Sequence, residues 1–350
     1  MEISKKILKV IIFIIVGVGI LQLLTYIFVP KFIDQMDPAT ARIKEYYTEK
    51  KNTIDVLFIG NSESSRGYSP IKIWEEYGIT SYNYGSSMQT TQISYYKLKE
   101  CLRCQKPRVV ILEVNSFFEK DSKDEFYRRV IDNWKLDYVK ICTVFDKNLS
   151  LDNRLSYIFP IIRYHARWNE LGKNDFKVLK KEYKSVSYKG TPMIVSQKPY
   201  IGEKDYMNKN KSKEEIPDNN LLYIQKIINL CKKHNIKLLM AEVPSPNAWT
   251  LERNKIITEL ANKYEINFID FNMLQKEINL DWDKDTYDEG KHLNIYGAEK
   301  VSNYIGKILS EKYNIPNHKN DANIADEWNE EAQRYEQHKK ELESEQNSKR

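Results

Sequence analysis

Cysteine is scarce, with four in 350 residues, too few for a scaffold built on disulfides. Twelve glycines and eleven prolines exclude a collagen-like or low-complexity chain. There are only five histidines. Four of them, His165, His234, His318 and His338, stand far apart without companion ligands, so no metal cluster is expected. A mean hydropathy of -0.62 excludes a protein with many membrane spans. Excess charge of one sign is small: 55 basic against 49 acidic residues leave +6, read as spread through the sequence, which gives nucleic-acid binding little support. What remains, 41% hydrophobic and 30% charged, suits an ordinary globular body with one large core or two modest ones.

The first thirty residues are different. Val10 to Val29 is apolar except at Gly17, Gly19, Gln22 and Thr25. At ~1.5 Å per residue a helix of about twenty residues matches the ~30 Å hydrocarbon core of a bilayer. Lys5, Lys6 and Lys9 precede the run, and Lys31 is followed by Asp34 and Asp37. The positive-inside rule then sets residues 1–9 in the cytoplasm, 10–30 across the cell membrane as a single pass, and the rest outside. A cleaved signal peptide fits less well, because the run is long and Tyr26 to Lys31 offers no small-residue cleavage site.

Residues 31–52 read as a charged, helical stalk. Beyond it the pattern is strand, loop, helix, repeated over 53–316. Val56–Ile59 and Val109–Val114 are short apolar runs, as expected of strands buried on both faces, and Ser81–Tyr84, Ile236–Val243 and Ile266–Phe271 read as the other strands. Helices are expected from Pro70, over Gln92–Cys104, Leu221–His234, Glu252–Tyr264 and Tyr296–Tyr313, with Ser69-Pro70 supplying a cap and an N1 proline. Alternation of this kind predicts an α/β fold, a parallel sheet with helices on both faces. About residues 121–220 the rhythm breaks into aromatic and basic segments, an insertion or cap, with Lys204–Asn220 an exposed loop. Residues 317–350 read as a charged helical tail with a narrow apolar stripe at Trp328, Ala332, Tyr335 and Leu342. Cys101 and Cys104 form a CxxC without the setting of a redox or metal motif, and are assigned no function.

Ligands of open parallel sheets bind beyond the carboxyl ends of the strands. There this chain is polar: Gly60-Asn61-Ser62-Glu63-Ser64-Ser65, then Gly85-Ser86-Ser87, then Glu113-Val114-Asn115-Ser116, and before the last helix Asp288-Glu289-Gly290-Lys291-His292. A serine nucleophile needs a base, a carboxylate to orient that base, and donors for the oxyanion. Ser62 on the first turn, His292 as base, and Asp288 or Glu289 as the acid meet the first three needs. The amides of Ser62 and Gly85 and the side chain of Asn115 meet the last. Each alone also reads as a turn, cap or strand-end residue; the constellation in this order is what points to catalysis.

These four blocks resemble those of SGNH (GDSL-like) hydrolases. With the N-terminal anchor and the stretch Tyr287 to Lys300, the chain is similar to bacterial envelope members of that superfamily, the DltD-like and AlgJ/AlgX-like proteins. Two differences stand out: Asn61 replaces the usual Asp, and Asp288 and His292 are separated by three residues instead of two. The resemblance implies a three-layer flavodoxin-like sheet and acyl chemistry, transfer or hydrolysis, on an envelope polysaccharide or teichoic acid outside the cytoplasm. The implied partners are that polymer, an acyl donor and a membrane-bound O-acyltransferase; no cofactor is needed. The alternative is a polymer-binding scaffold on a degenerate hydrolase fold. Arg163, His165, Arg167 and Trp168 in the insertion resemble a Tyr-His-x-Arg-Trp stretch of related anchored proteins. Guanidinium forks suit phosphate and an indole suits a sugar face, so these four are expected to touch substrate, unless the segment is simply a packed aromatic cap.

Overall fold

A computed structural model describes residues 2–29, 38–119, 124–146, 151–176, 187–203, 205–208 and 213–348. Lys31, Asp34 and Asp37, on which part of the orientation argument rests, fall outside them, as do Lys204 and residues 209–212 of the expected loop. The chain forms two compact units, Met1–Ala41 with Arg128–Lys184, and Arg42–Tyr127 with Ser185–Arg350.

The second unit holds the sheet. Five parallel strands, β1 (Val56–Ile59), β2 (Ser81–Asn83), β3 (Val109–Glu113), β4 (Lys237–Glu242) and β5 (Asn267–Asp270), run in the order 2-1-3-4-5. That is the flavodoxin-like order, as expected. Side chains alternate across a strand. Val56, Phe58, Ile111, Leu239 and Ala241 therefore share one core with Ile73, Val301, Ile305 and Leu309 of helices α4 (Pro70–Tyr77) and α12 (Ile295–Glu311). Leu57, Val110 and Met240 are buried on the opposite side, where α5 (Thr91–Cys101) and α10 (Asp218–Lys233) pack. β1 and the central residues of β3 and β4 are apolar because both faces of the sheet are covered there.

Local chemistry sets the helix ends. Ser69 Oγ accepts from the Lys72 amide at 3.4 Å ahead of α4, and Gly78 closes that helix with φ +65°. Thr250 Oγ1 caps α11 (Leu251–Tyr264) through the Arg253 amide, and Asn294 Oδ1 caps α12 through the amides of Tyr296 and Gly297. A short helix, α3 (Ser62–Gly67), follows β1 directly.

One segment differs from expectation. Residues 42–49, read as stalk, belong to the body. Ile43 of α2 (Pro38–Glu45) and Tyr46 just after it are buried, Tyr46 stacks on Tyr84 at 4.6 Å, and its hydroxyl donates to the Cys101 carbonyl. The charged tail is α13 (Ala322–Ser348), held by its apolar stripe: Trp328 lies 5.3 Å from Trp74, Trp74 Nε1 donates to Asn329, and Tyr335 is buried. Within the expected loop, Tyr206 and Met207 are also buried. Cys101 and Cys104 are both free thiols.

The first unit contains the apolar helix α1 (Glu2–Phe28), of which Ser4–Phe28 is long and apolar enough to cross a membrane. With it go the end of α6 (Asp124–Ile131), α7 (Tyr138–Asp146), α8 (Leu151–Ile158), α9 (Ile161–Tyr164) and short 3₁₀ turns at His165–Asn169 and Lys173–Phe176.

Candidate active site

The site is assembled at the carboxyl ends of β1, β2 and β3. Gly60 ends β1 because nothing larger fits: a Cβ there would lie 2.4 Å from Glu113 Cβ and 2.9 Å from Ser64 Cβ. Asn61 caps α3, its Oδ1 accepting from the Glu63 amide at 2.8 Å. An asparagine oxygen serves in this cap as an aspartate oxygen would. Ser62 is thereby the first residue of α3. Ser62 is part-exposed and, among the described residues, neither its hydroxyl nor its amide has a hydrogen-bond partner.

Gly85 packs its α-carbon against α3, where a Cβ would come within 2.7 Å of the Ser65 amide. Its own amide donates to Asn83 Oδ1 at 3.2 Å, and the Ser86 amide donates to the Gly60 carbonyl at 3.1 Å. Of the three expected oxyanion donors, Gly85 is therefore already engaged within the protein. Asn115 is held differently. Its Oδ1 accepts from Arg253 Nη1 at 2.8 Å. A guanidinium only donates, so the amide orientation is fixed and Nδ2 keeps its hydrogens uncommitted among the described residues. Arg253 is itself aligned by Glu214 at 3.2 Å and by the Phe118 ring, 4.7 Å away.

His292 and Asp288 meet: Nδ1 and Oδ2 are 2.6 Å apart, and the His292 amide donates to Asp288 Oδ1 at 2.7 Å. Nε2 of His292 has no protein partner among the described residues. Partial burial pushes the Asp288 carboxyl up, but the hydrogen bonds from the His292 ring and amide outweigh it and hold the group below the ordinary carboxylate value. Glu289 takes φ +63°, turns to solvent and pairs with Lys198 at 2.9 Å. Tyr287 stacks on the His292 ring, and its hydroxyl accepts from Arg66 Nε of α3 at 3.3 Å. The serine helix and the histidine loop are joined through that contact. No hydrogen bond links Ser62 Oγ to His292.

Beneath the site lies a group of buried acids that sequence reasoning passed over. Glu113 spans two blocks: its carboxylate accepts from the amides of Asn61, at 3.0 Å, and of Asn115. Glu242 is fully buried with no donor against either oxygen among the described residues, and burial, then the Glu113 charge, raises its pKa well above the usual range. Glu63 Oε1 accepts from Ser245 Oγ, and burial and Glu113 raise it likewise. Asp270 is satisfied by Trp249, Asn254 and Asn272. A signal was present: β3, β4 and β5 each end an apolar run on a carboxyl residue, Glu113, Glu242 and Asp270.

The four expected substrate contacts belong to the other unit. The Arg163 fork is filled by Asp132, with bonds of 2.6 and 2.5 Å. Arg167 bonds Asp175 and the Phe28 carbonyl. His165 Nδ1 lies 2.8 Å from the Ile162 carbonyl, and Trp168 is 72% exposed. A cavity of about 460 Å³ beside β5 is lined by residues such as Asn267, Tyr304 and Tyr313 and includes none of Ser62, Asn115, Asp288 or His292.

Comparison with protein families finds no match, and comparison with curated proteins finds none. Among solved structures, the chain is similar to a psychrotrophic esterase from a Pseudoalteromonas species (11% identity, 74% of this chain and 99% of that one, TM-score 0.37). It is also similar to a GDSL-like lipase from Bacteroides thetaiotaomicron (13% identity, 78% and 99%, TM-score 0.36). Likeness at this level decides no activity.

Proposed function

We propose that the sheet unit is a serine acyl-transfer enzyme of the SGNH type, carried out of the cytoplasm on α1 and acting on an acylated envelope polymer. The observation that carries this reading is the 2.6 Å contact between His292 Nδ1 and Asp288, which leaves Nε2 as the basic nitrogen on the loop joined to the Ser62 helix. In the first step Ser62 Oγ attacks an acyl carbonyl while His292 Nε2 takes its proton, and Asp288 stabilises the imidazolium. The uncommitted Ser62 amide and Asn115 Nδ2 receive the oxyanion. Collapse expels the leaving alcohol or thiol with the proton from His292. Water or a polymer hydroxyl then attacks the acyl-enzyme with His292 again as base, and the Ser62–acyl bond breaks as Ser62 Oγ takes the proton back from His292.

The missing Ser62–His292 hydrogen bond favours the second reading, a non-catalytic polymer scaffold, although such bonds are often long before substrate binds. A fluorophosphonate probe separates the two. The first reading expects covalent labelling at Ser62, abolished in Ser62→Ala and His292→Ala, with hydrolysis of an activated acetyl ester falling by about 10⁴-fold or more. Unlabelled wild-type protein, or unchanged turnover in Ser62→Ala, supports the scaffold.

A further inference from the structure

The first unit wears its apolar residues on the outside. Helix α7 buries Val139, Lys140, Thr143 and Val144, and exposes Tyr138, Ile141, Cys142 and Phe145. Those four follow the i, i+3, i+4, i+7 spacing of one helix face. Tyr138 is 59% exposed and Phe145 51%. The adjoining α8 repeats the pattern with Leu151 and Leu155 one turn apart, and Ile162 continues it into α9. Of the fifteen large hydrophobic residues exposed outside α1 among the described residues, nine fall between Leu136 and Phe176. Concentration on that scale marks a contact surface.

Two further observations say what the surface meets. The unit is built onto the end of the apolar helix: α9 and the 3₁₀ turns pack on α1, and the Arg167 guanidinium bonds the carbonyl of Phe28, its last residue. The segment is also basic in its amino-acid sequence. Residues 128–184 contain 13 Lys and Arg against 7 Asp and Glu, an excess of six that equals the net charge of the entire chain. The basic excess expected to be spread along the sequence is gathered here.

We propose that α7, α8 and the start of α9 lie in the plane of an anionic phospholipid surface, beside the point where α1 leaves it. Their outer stripes sink to the boundary between headgroups and acyl chains. Interfacial helices bury their apolar face ~5–10 Å below the headgroups, and basic side chains near an anionic leaflet add ~1 kcal/mol each. The Arg154 guanidinium lies over the Phe145 ring at 5.2 Å, so its charged head rises from an apolar stem and ring toward the headgroup level. Exposed Tyr138 and Trp168 are the side chains that collect at such interfaces. This inference rests on α1 spanning the membrane.

The natural Cys142 provides the test. Full-length Cys104→Ser protein, one chain per nanodisc of phosphatidylglycerol and phosphatidylcholine, is labelled there with an environment-sensitive fluorophore, since Cys101 and Cys231 are buried. A second protein carries the label at Ile15→Cys with Cys104→Ser and Cys142→Ser. The Cys142 label should lose most of its emission to lipids spin-labelled near the carbonyl end of the acyl chain, less to those labelled near the methyl end, and little to iodide. The Ile15 label should respond to the deeper quencher. Quenching of Ile15 by lipid, with Cys142 open to iodide and indifferent to lipid, overturns the surface proposal and leaves the anchor standing. Failure of both labels to sense lipid overturns the anchor and the proposal with it. A Cys142 label shielded from iodide and lipid alike shows a protein cover, which also overturns the proposal.

Discussion

Asp288 and Glu289 are neighbours in sequence, yet the backbone gives them different work. The left-handed conformation at Glu289 turns its side chain to Lys198, while Asp288 accepts both the ring and the amide of His292. Asp288→Asn should lower kcat/KM for an activated acetyl ester by about 10²- to 10⁴-fold, because the imidazole is then free to take the wrong tautomer. Glu289→Gln should leave it near the wild-type value. A larger defect in Glu289→Gln would overturn the assignment. Arg253 gives the oxyanion side a comparable handle. Arg253→Ala frees the Asn115 amide to rotate, so kcat should fall by about 10- to 100-fold with KM little changed. Fluorophosphonate labelling should slow in parallel, and a change confined to KM would instead place Arg253 in substrate binding. Neither the Glu289 conformation nor the Arg253 contact was legible in the sequence, since a loop dihedral and a partner 138 residues away leave no local pattern.

Elements were far more legible than their partners. β1, β3 and β4 were readable because strands covered on both faces must be apolar throughout, and α4 because Ser69-Pro70 is a start signal with a mechanism. The burial of Tyr46 and Trp328 was not, because a sparse apolar stripe in a charged segment reads the same whether it docks or stays solvated. The acid-terminated strands were missed for a different reason: a charge after an apolar run resembles a strand end meeting water, whereas here three such ends point into one interior. Glu242 has no hydrogen-bond partner for either oxygen among the described residues, so burial and the nearby Glu113 charge favour its protonated form. Folding raises both groups above their unfolded values, chiefly through burial. Their contribution to stability is therefore complete below the ordinary carboxylate range and is lost as pH rises through the folded values, ~1.4 kcal/mol for each unit of displacement. Thermal unfolding should accordingly show Tm declining toward alkaline pH. Glu242→Gln, which keeps the size of the side chain without an ionisable proton, should flatten that decline. An equally steep decline in the variant would exclude the pair as its source.

At the scale of the whole molecule, the long apolar helix lies in one unit and the parallel sheet in the other. Ser4–Phe28 exceeds the span a bilayer requires and buries none of its most apolar window against protein, so lipid is the solvent that suits it. A cleaved signal would have the same composition, but it would be discarded. In this chain, however, α9 and the 3₁₀ turns pack on α1, and Arg167 bonds its terminal carbonyl. Cleavage after Phe28 would take away what those elements pack on and leave Arg167 without that acceptor. The proposed membrane anchor, left uncleaved, would keep the first unit intact. Expressed with a C-terminal reporter active only outside the cytoplasm, the full chain should give signal, remain in the membrane fraction after alkaline washing, and migrate at its full 41.5 kDa plus the reporter. Reporter signal from a shortened, soluble product would show cleavage, and a full-length membrane product without signal would reverse the orientation.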